Sequence, residues 1–419
     1  MSLTVRIFLA LVLGLGVGIA LAAFADPELT VRVASIAEPV GNIWLDALQM
    51  TIIPLVFALL FTGIASAAGT ASASVRAARA LLWFAAIVLA GGIMSVVVTP
   101  LLLDLWPIPG DEAARLLASA GAAPVAEPLS AAQWLRSFVP SNAVAAAAEG
   151  KMLPLVVFAT AFALAATRIP EGPRVTLSAF FDGVVQTMLV LVDWVLRAAP
   201  VGVFALALLV GTRAGIGAIG VLAHYVAIVI IVQLVLIVGV YLLVAVFRPV
   251  PLLTFARAVL PAQIVALSTQ SSIATLPAMV EVATQSLKLS QPVVRLVLPL
   301  AVSVFRATSA PANLAVVIYV AYLHGVVLDP WTLAAGVAVA FAVSIAAVGL
   351  PGQVSFITSV APIALAMGVP IVVLPLLIAV ELLPDLFRTV GNVTGDLAVT
   401  TILASGEAVD EARGEPPPA

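Results

Sequence analysis

Apolar stretches separated by short polar connections run through most of the chain. A helix needs about 20 apolar residues to cross the hydrocarbon of a bilayer. Six early stretches meet that length: 5–24, 41–69, 78–105, 141–169, 176–210 and 217–247. Several are longer than a perpendicular crossing requires, so tilted helices are expected.

The apolar pattern changes after Phe247. Ser, Thr, Gly and Pro interrupt the stretches 252–288 and 331–368, whereas 290–323 and 369–404 have the pattern of spans. Irregular backbone at membrane depth is tolerated only inside protein or beside a cavity, and paired interrupted segments are typical of a transporter's binding site. The predicted fold is an all-α membrane protein with eight transmembrane helices plus two re-entrant helical hairpins.

Charged residues alternate in sign along the connections. The basic connections carry Arg6, Arg76, Arg79, Arg168, Arg174, Arg248 and Arg257. The intervening segments carry Asp26, Glu28, Glu38, Asp104, Asp111, Glu112 and Glu127. Because basic connections stay on the cytoplasmic side, both termini are expected in the cytoplasm. The expected location is the bacterial inner membrane, with many passes.

The two ends of the chain need separate interpretation. Arg6, the apolar run 7–22 and the small residues around Phe24 resemble a signal peptide with its cleavage site. Because later segments insert repeatedly, an uncleaved first span is favoured. The polar tail 406–419 ends in three prolines and an alanine and is expected to be a disordered cytoplasmic tail.

Composition supports a membrane location. Of the 419 residues, 63% are apolar and 9% are charged, whereas about 25% of a soluble domain is charged. The net charge of −3 argues against a nucleic-acid partner. There is no cysteine, which excludes disulfides and thiolate metal sites. His224 and His324 are expected to be packed or interfacial residues rather than metal ligands.

Two stretches concentrate unusual polarity. The first is the hydroxyl-rich segment Ser268–Pro277, which suits a hairpin tip whose amides and hydroxyls bind a carboxylate. The alternative is an ordinary Ser/Thr-rich helix contact, and the tip alone does not decide between them.

The second stretch lies in the last apolar segment. Asp385, Arg388 and Asn392 are spaced i, i+3, i+7 and share one helical face, with Thr389 beside Asp385. Because burying such a set in lipid costs several kcal/mol, it is expected to face the protein interior or a watery cavity. A structural ion pair is the alternative, but it does not account for Thr389, Asn392 and Asp396, so a functional site is favoured.

With these residues identified, the chain resembles the glutamate transporter homologues, also called dicarboxylate/amino acid:cation symporters. The similarity extends almost end to end. The matching motifs are Met50–Phe57, Gly150–Phe158, Ala199–Phe204, Ser268–Pro277, Gly349–Gly352 and Arg388–Asp396. The last of these is highly specific.

The resemblance implies a homotrimer in which a scaffold holds a moving transport domain, with elevator-type alternating access. Residues 1–247 would form a six-helix region, whose third and sixth helices join the transport domain. Residues 248–405 would form the transport core, made of hairpin 1, helix 7, hairpin 2 and helix 8.

The resemblance also implies a substrate site. The aspartate matching Asp385 holds an amino group, the arginine matching Arg388 holds a side-chain carboxylate, and Asn392 with the tip serines holds the main-chain carboxylate. A guanidinium fork suits a carboxylate, so the pair Asp385–Arg388 favours an acidic amino acid over a simple dicarboxylate. The complete candidate set is Ser271, Ser272, Ser309, Gly349, Gly352, Asp385, Arg388, Thr389 and Asn392.

The family's sodium ligands are altered in this sequence. Alignment of Val297–Leu300 with the usual leader places Phe305 and Ala307 where the seventh helix carries asparagine and aspartate. Three oxygen-bearing positions of the third helix match Phe84, Ile87 and Val88. Phenyl and aliphatic side chains cannot ligate a hard cation, so Asp396, with Asn392 beside it, is left as a residual sodium site.

Arg306 stands where the family has methionine between the substrate and sodium sites. We hypothesise that Arg306 is a tethered cation that pairs with Asp396 or assists the substrate carboxylate. The alternative is that it snorkels to the surface or pairs with Glu381.

The predicted function is secondary transport of glutamate or aspartate with altered or lost sodium dependence. The alternatives are a C4-dicarboxylate:cation symporter, a sodium-independent exchanger, an anion-conducting pathway or a non-transporting receptor. No nucleophile–base pair or metal cluster suggests an enzyme. No cofactor is expected, although coupling to protons or sodium is. The expected partners are a small acidic solute and the lipid bilayer.

Overall fold

Helices form the described part of the chain, and no strand occurs within it. The computed structural model describes residues 3–73, 75–110, 114, 139–215, 217–247, 250–346 and 352–412; of these, the side chains of 3–4, 67–73, 214, 303–304, 346, 352–355 and 406–412 are left undescribed. Within these limits six helices have the length and apolar composition to cross a membrane. The predicted all-α membrane class is confirmed, while the count of eight spans and two hairpins stays a prediction.

The first half of the chain contains eight helices in the described residues. They are α1 (Leu3–Phe24), α2 (Pro27–Ala73), α3 (Val75–Leu105), α4 (Ala143–Ala148), α5 (Met152–Ala166), α6 (Glu171–Arg197), α7 (Ala199–Ala214) and α8 (Gly217–Phe247). The second half continues with α9 (Leu252–Thr269), α10 (Ser272–Glu281), a π-helical turn (Val282–Ser286), α11 (Gln291–Val304), α12 (Ser309–His324), α13 (Pro330–Ala346), α14 (Gly352–Ala366), α15 (Leu374–Val380) and α16 (Leu382–Ala412).

Several predicted spans are interrupted. The predicted span 141–169 is divided by Gly150, whose φ of 68° ends the helical path before α5. The span 176–210 is two helices that meet at Ala198, because Pro200 starts α7 in its first turn. The segments 290–323 and 369–404 were predicted as spans, yet the first breaks at 305–308 and the second at Glu381. Helix α16 reaches Ala412 and so includes the start of the tail that the sequence predicts to be disordered.

The first interrupted segment forms a helical pair. Helices α9 and α10 meet at Gln270, which has a left-handed φ of 52°. Ser271 caps α10, because its Oγ accepts a hydrogen bond from Ala274 N at 3.3 Å. The helix break therefore falls inside the predicted tip. In the second interrupted segment, α13 and α14 flank residues 347–351, which lie outside the described residues.

The helices of the second half pack around α12 and α16. Helix α16 contacts α8, α9, α10 and α11, while α12 contacts α3, α8, α13 and α14. Nearly every residue of α12 is buried, as expected for a helix surrounded by protein rather than lipid. Helices α1, α2, α6 and α7 pack among themselves. Leu82, Ile93 and Val97 of α3 are exposed, which is typical of a face that contacts lipid.

Candidate functional site

The break between α11 and α12 lies against α16. Thr308 N donates a hydrogen bond to Asn392 Oδ1 at 3.0 Å. Thr308 Oγ1 lies 2.8 Å from the same oxygen and 3.0 Å from Arg388 O, so one hydroxyl proton is shared between two acceptors. Unwound backbone leaves amide groups that need hydrogen-bond partners. Asn392 Oδ1 is the acceptor for the amide of Thr308. Its Nδ2 donates to no described residue.

Two glycines of α16 permit this close approach. A Cβ at Gly391 would collide with Thr308 Cγ2, and one at Gly395 would lie 3.0 Å from Ala307 Cβ and 3.3 Å from Phe305 Cε1. Side chains at these positions would therefore push α16 away from the break.

Arg388 is the centre of the polar contacts on α16. Its Nη2 donates to Glu381 Oε1, and its Nη1 donates to Asn313 Oδ1 at 3.1 Å. Its Nε lies 3.8 Å from Asp385 Oδ1 and has no hydrogen-bond partner among the described residues. Because the guanidinium has five N–H donors, a buried donor remains for another acceptor.

Glu381 and Arg388 form a buried ion pair at the start of α16. Their residues are 4% and 7% exposed, so water does not screen the charges. Tyr225 of α8 donates its O–H to Glu381 Oε2 at 3.1 Å. A buried pair with additional hydrogen bonds offsets part of its desolvation cost, whereas removing one partner is strongly destabilising.

A chain of polar side chains leads from this ion pair to the break in the helix. Asn313, whose Oδ1 accepts from Arg388, donates from its Nδ2 to Ser309 Oγ at 3.3 Å. Ser309 N in turn donates to Arg306 O at 3.0 Å. The guanidinium of Arg388 is thus connected to the residue that replaces the expected methionine.

Asp385 differs from Glu381 in its surroundings. Its side chain is 18% exposed, and the carboxylate accepts no hydrogen bond from a described residue. Thr389 is buried, and its Oγ1 donates to Asp385 O at 3.0 Å. The Thr389 hydroxyl therefore satisfies its own helix, while the Asp385 carboxylate is available to a cationic group.

Asp396 lies deeper in α16 than the other acids. It is fully buried, and neither carboxylate oxygen has a hydrogen-bond partner among the described residues. Arg306 interacts electrostatically with Asp396, Asp385 and Arg388. Glu381, the other partner considered for Arg306, is bonded to Arg388 and Tyr225 instead.

The residues predicted to stand at the family's sodium-ligand positions form an apolar cluster. The rings of Phe84 and Phe305 stack with centroids 4.4 Å apart and planes 11° from parallel. Ile87, Val88 and Ala307 are buried in the same core. This stacking links α3 to the break after α11.

The structure brings most of the predicted site residues together. Hydrogen bonds, electrostatic interactions or positions in one helix connect Arg306, Ser309, Asp385, Arg388, Thr389, Asn392 and Asp396. Ser271 and Ser272 lie at the tip of the α9–α10 pair, which packs on α16, but in the described structure neither bonds to Asp385, Arg388 or Asn392. Gly349 lies outside the described residues, and Gly352 is the first residue of α14.

Three contributors were missed by sequence reasoning. Tyr225, Asn313 and Thr308 each bond to a predicted site residue. Asn313 carried a usable signal, because an amide inside a strongly apolar helix is rare and functional by default. Tyr225 and Thr308 carried none, since both residue types are common at helix contacts.

Comparison with known proteins agrees with this arrangement. The model of the sodium:dicarboxylate symporter family matches residues 3–405. The proton/glutamate-aspartate symporter of Escherichia coli (strain K12) is 27% identical over 383 residues, which cover 90% of this chain and 86% of the relative. A proton/sodium-glutamate symport protein of Bacillus subtilis (strain 168) is 26% identical, covering 88% and 86%.

A third relative has a different named substrate. The C4-dicarboxylate transport protein of Rhizobium johnstonii is 26% identical over 377 residues, which cover 88% of this chain and 83% of the relative. The family model extends across both the apolar first half and the polar face of α16. The chain therefore belongs to the sodium:dicarboxylate symporter family, whose members are multi-pass membrane transporters and not enzymes.

Proposed function

We propose that this protein is a secondary transporter of acidic amino acids, with aspartate or glutamate as cargo. The observation that carries the proposal is the guanidinium of Arg388, buried at a break between helices with one N–H group unused. A guanidinium inside a membrane protein marks a substrate pathway or an ion pair. Here the ion pair with Glu381 leaves donors unused.

Asp385 supports an amino acid over a simple dicarboxylate. Its carboxylate lies 3.8 Å from Arg388 Nε and accepts no hydrogen bond from a described residue. An α-ammonium group would give it a charge-assisted partner. A cargo with two carboxylates and no amine would instead place negative charge beside Asp385.

The C4-dicarboxylates are the second candidate, because Arg306 lies in the break whose Thr308 bonds to the backbone of Arg388. Two guanidinium groups near one another suit two carboxylates. One relative is named as a C4-dicarboxylate transport protein. Asp385 would bind the ammonium group of an amino acid but would have no such partner in a dicarboxylate. Substitution of Asp385 therefore distinguishes the two cargoes.

We further propose that transport does not depend on sodium. The stacked Phe84 and Phe305 and the buried Ala307 offer no side-chain oxygen, and a hard cation requires several oxygen ligands. An anionic cargo nevertheless adds negative charge near three buried or partly buried acids, Glu381, Asp385 and Asp396. A proton is the cation that we propose enters with it.

The assembly and the movement follow the family expectation. We propose a homotrimer in which α1, α2, α6 and α7 contribute to a scaffold, while the α9–α10 pair, α11–α12, the α13–α14 pair and α16 move together as the transport core. In support, α1, α2, α6 and α7 pack among themselves and α16 packs on α9, α10 and α11, while α2 also contacts α13 and α14.

Uptake into liposomes tests the proposal. Labelled aspartate, glutamate and succinate are offered under separate proton and sodium gradients to the wild type, Arg388→Ala and Asp385→Asn. Arg388→Ala should abolish uptake of all three. Asp385→Asn should lower uptake of the amino acids at least about tenfold, a difference of 1.4 kcal/mol, and spare succinate.

The exposed pair Arg197–Asp193 on α6 provides the control. The Arg197 side chain is 74% exposed and bonded to Asp193 at 2.7 Å, so Arg197→Ala should transport as the wild type does. Amino acid uptake that survives Arg388→Ala would refute the assigned cargo site. Steep stimulation of the wild type by a sodium gradient would refute sodium independence.

A further inference from the structure

Asp396 is a carboxylate in an environment that does not solvate it. It has no solvent exposure, and both oxygens lack hydrogen-bond partners within the described structure. The adjacent Gly395 packs directly on Ala307 and Phe305, so this side of α16 is apolar. An ionised carboxylate in such surroundings requires a nearby positive charge.

Arg306 is placed to supply that charge. It lies in the α11–α12 break between Phe305 and Ala307, the two residues that contact Gly395. Among residues 305–308, which form the break, Arg306 is the one charged residue, and its two neighbours pack against the part of α16 that carries Asp396. The position of its backbone is fixed by the hydrogen bond from Ser309 N to Arg306 O.

The surrounding cluster would bind a mobile cation poorly. Phe84 stacks on Phe305, and Ile87 and Val88 are buried beside them. Their side chains provide no oxygen, so a sodium ion at Asp396 would keep one carboxylate and lose its remaining coordination. A guanidinium tolerates this setting better, because it is delocalised and weakly hydrated.

We propose that Arg306 is the permanent counter-cation of Asp396, and that its guanidinium takes the place of a bound monovalent cation in holding the α11–α12 break on α16. The inference rests on the proposed function for its role in transport, but the pairing of Arg306 with Asp396 can be tested on the folded protein without any cargo. The core thus stays ordered without sodium.

Thermal unfolding of the purified full chain in detergent tests the pair without any cargo. The variants are Arg306→Met, Asp396→Asn and the double variant, each in sodium chloride and in choline chloride at equal ionic strength. The wild type should unfold at the same temperature in both salts. Arg306→Met should unfold at a lower temperature in both salts, because the apolar cluster offers no oxygen ligands with which sodium could replace the guanidinium.

A double-mutant cycle measures the coupling. Each single variant leaves one charge without its partner, so the double variant should unfold no earlier than either single variant. Arg295→Met is the matched control, since Arg295 is exposed on α11, and it should behave as the wild type in both salts. Arg306→Lys, which keeps the charge, should retain most of the stability and no sodium response.

Several outcomes would overturn the inference. They are additive effects of the two substitutions, a sodium response of the wild type, or stronger coupling of Arg306 to Asp385 in the equivalent cycle with Asp385→Asn. If Arg306→Met cannot be purified, the unfolding temperatures of Asp396→Asn and Arg306→Lys in the two salts test the pairing instead. The pairing requires Asp396→Asn to be destabilised and Arg306→Lys to be nearly as stable as the wild type. If the effects of the two substitutions are coupled but the protein takes up no acidic solute, the proposed function would be wrong and the pairing of Arg306 with Asp396 would still hold.

Discussion

The buried pair Glu381–Arg388 predicts opposite effects on stability and on cargo binding. Glu381→Gln keeps the size of the side chain and removes its charge. The glutamine oxygen can still accept a hydrogen bond from either Tyr225 or Arg388, which both donate to Glu381 in the wild type. The glutamine NH2 group then faces the other donor and cannot accept its hydrogen bond. Arg388 then has only Asp385, at 3.8 Å, as an anionic partner.

The magnitude follows from these contacts. Breaking a buried ion pair by removing one partner costs about 3–5 kcal/mol, and this sets the upper limit. Because one neutral hydrogen bond, worth about 1 kcal/mol, and the charge of Asp385 remain, we expect the free energy of unfolding to fall by about 1–3 kcal/mol. The corresponding observation is a lower unfolding temperature in detergent.

Cargo affinity should change in the other direction. Arg388 Nε is unused, but a cargo carboxylate that binds two guanidinium donors would also need Nη2, which donates to Glu381. Such a cargo must displace Glu381 from Nη2. Removing the competing charge should tighten aspartate binding about tenfold, equivalent to 1.4 kcal/mol. Equilibrium binding of labelled aspartate to detergent-solubilised protein measures this change.

Tyr225→Phe is the matched control, because it removes the hydroxyl donor at 3.1 Å and leaves the charge of Glu381. It should lower stability by about 1 kcal/mol without tightening aspartate binding. If Glu381→Gln bound aspartate more weakly than the wild type, Glu381 would position Arg388 rather than compete for it, and the reasoning would be wrong.

Three further predictions concern the α11–α12 break. Phe305→Ala should lower the free energy of unfolding by about 3–5 kcal/mol in thermal unfolding, whereas Phe24→Ala, at a residue 90% exposed, should have little effect. Gly391→Ala should reduce both the yield of folded protein and aspartate uptake, because its Cβ collides with the break; Gly183→Ala, where the Cβ meets no atom within 4 Å, should do neither. Asn392→Ala should lower the unfolding temperature, because it removes the oxygen that accepts hydrogen bonds from Thr308 N and Thr308 Oγ1. The expected loss in the free energy of unfolding is about 1–3 kcal/mol. An unchanged unfolding temperature would show that water replaces the Asn392 oxygen.

The sequence predicted the helical face of α16 because that face depends on local periodicity. Asp385, Arg388 and Asn392 lie on one helix, and the face meets other protein elements as expected. The break in the first interrupted segment was also predictable, since Gln270 and Ser271 lie in a run of small polar residues. Spacing within one helix and turn chemistry are local properties.

The break at 305–308 was not predictable from local pattern, because tertiary contacts create it. Thr308 leaves the helical path and bonds to Asn392, 84 positions later, and no periodicity in 290–323 signals such an exchange. The additional contact of Arg388 with Glu381 was not predictable either. Glu381 lies two turns away, and only the end of α15 at that residue lets its long side chain meet the guanidinium.

The aromatic stacking of Phe84 on Phe305 has a mechanical consequence. Together with the hydrogen bond from Ser95 Oγ to Pro311 O at 2.8 Å, it attaches α3 at two points, one on the α11–α12 break and one on α12. Two such attachments resist both translation and rotation of α3 against α12. We therefore expect α3 to move together with the transport core. The bending points would then fall at its two ends, near Val75 and beyond Leu105, and spin labels placed there should report the largest changes in distance during the transport cycle.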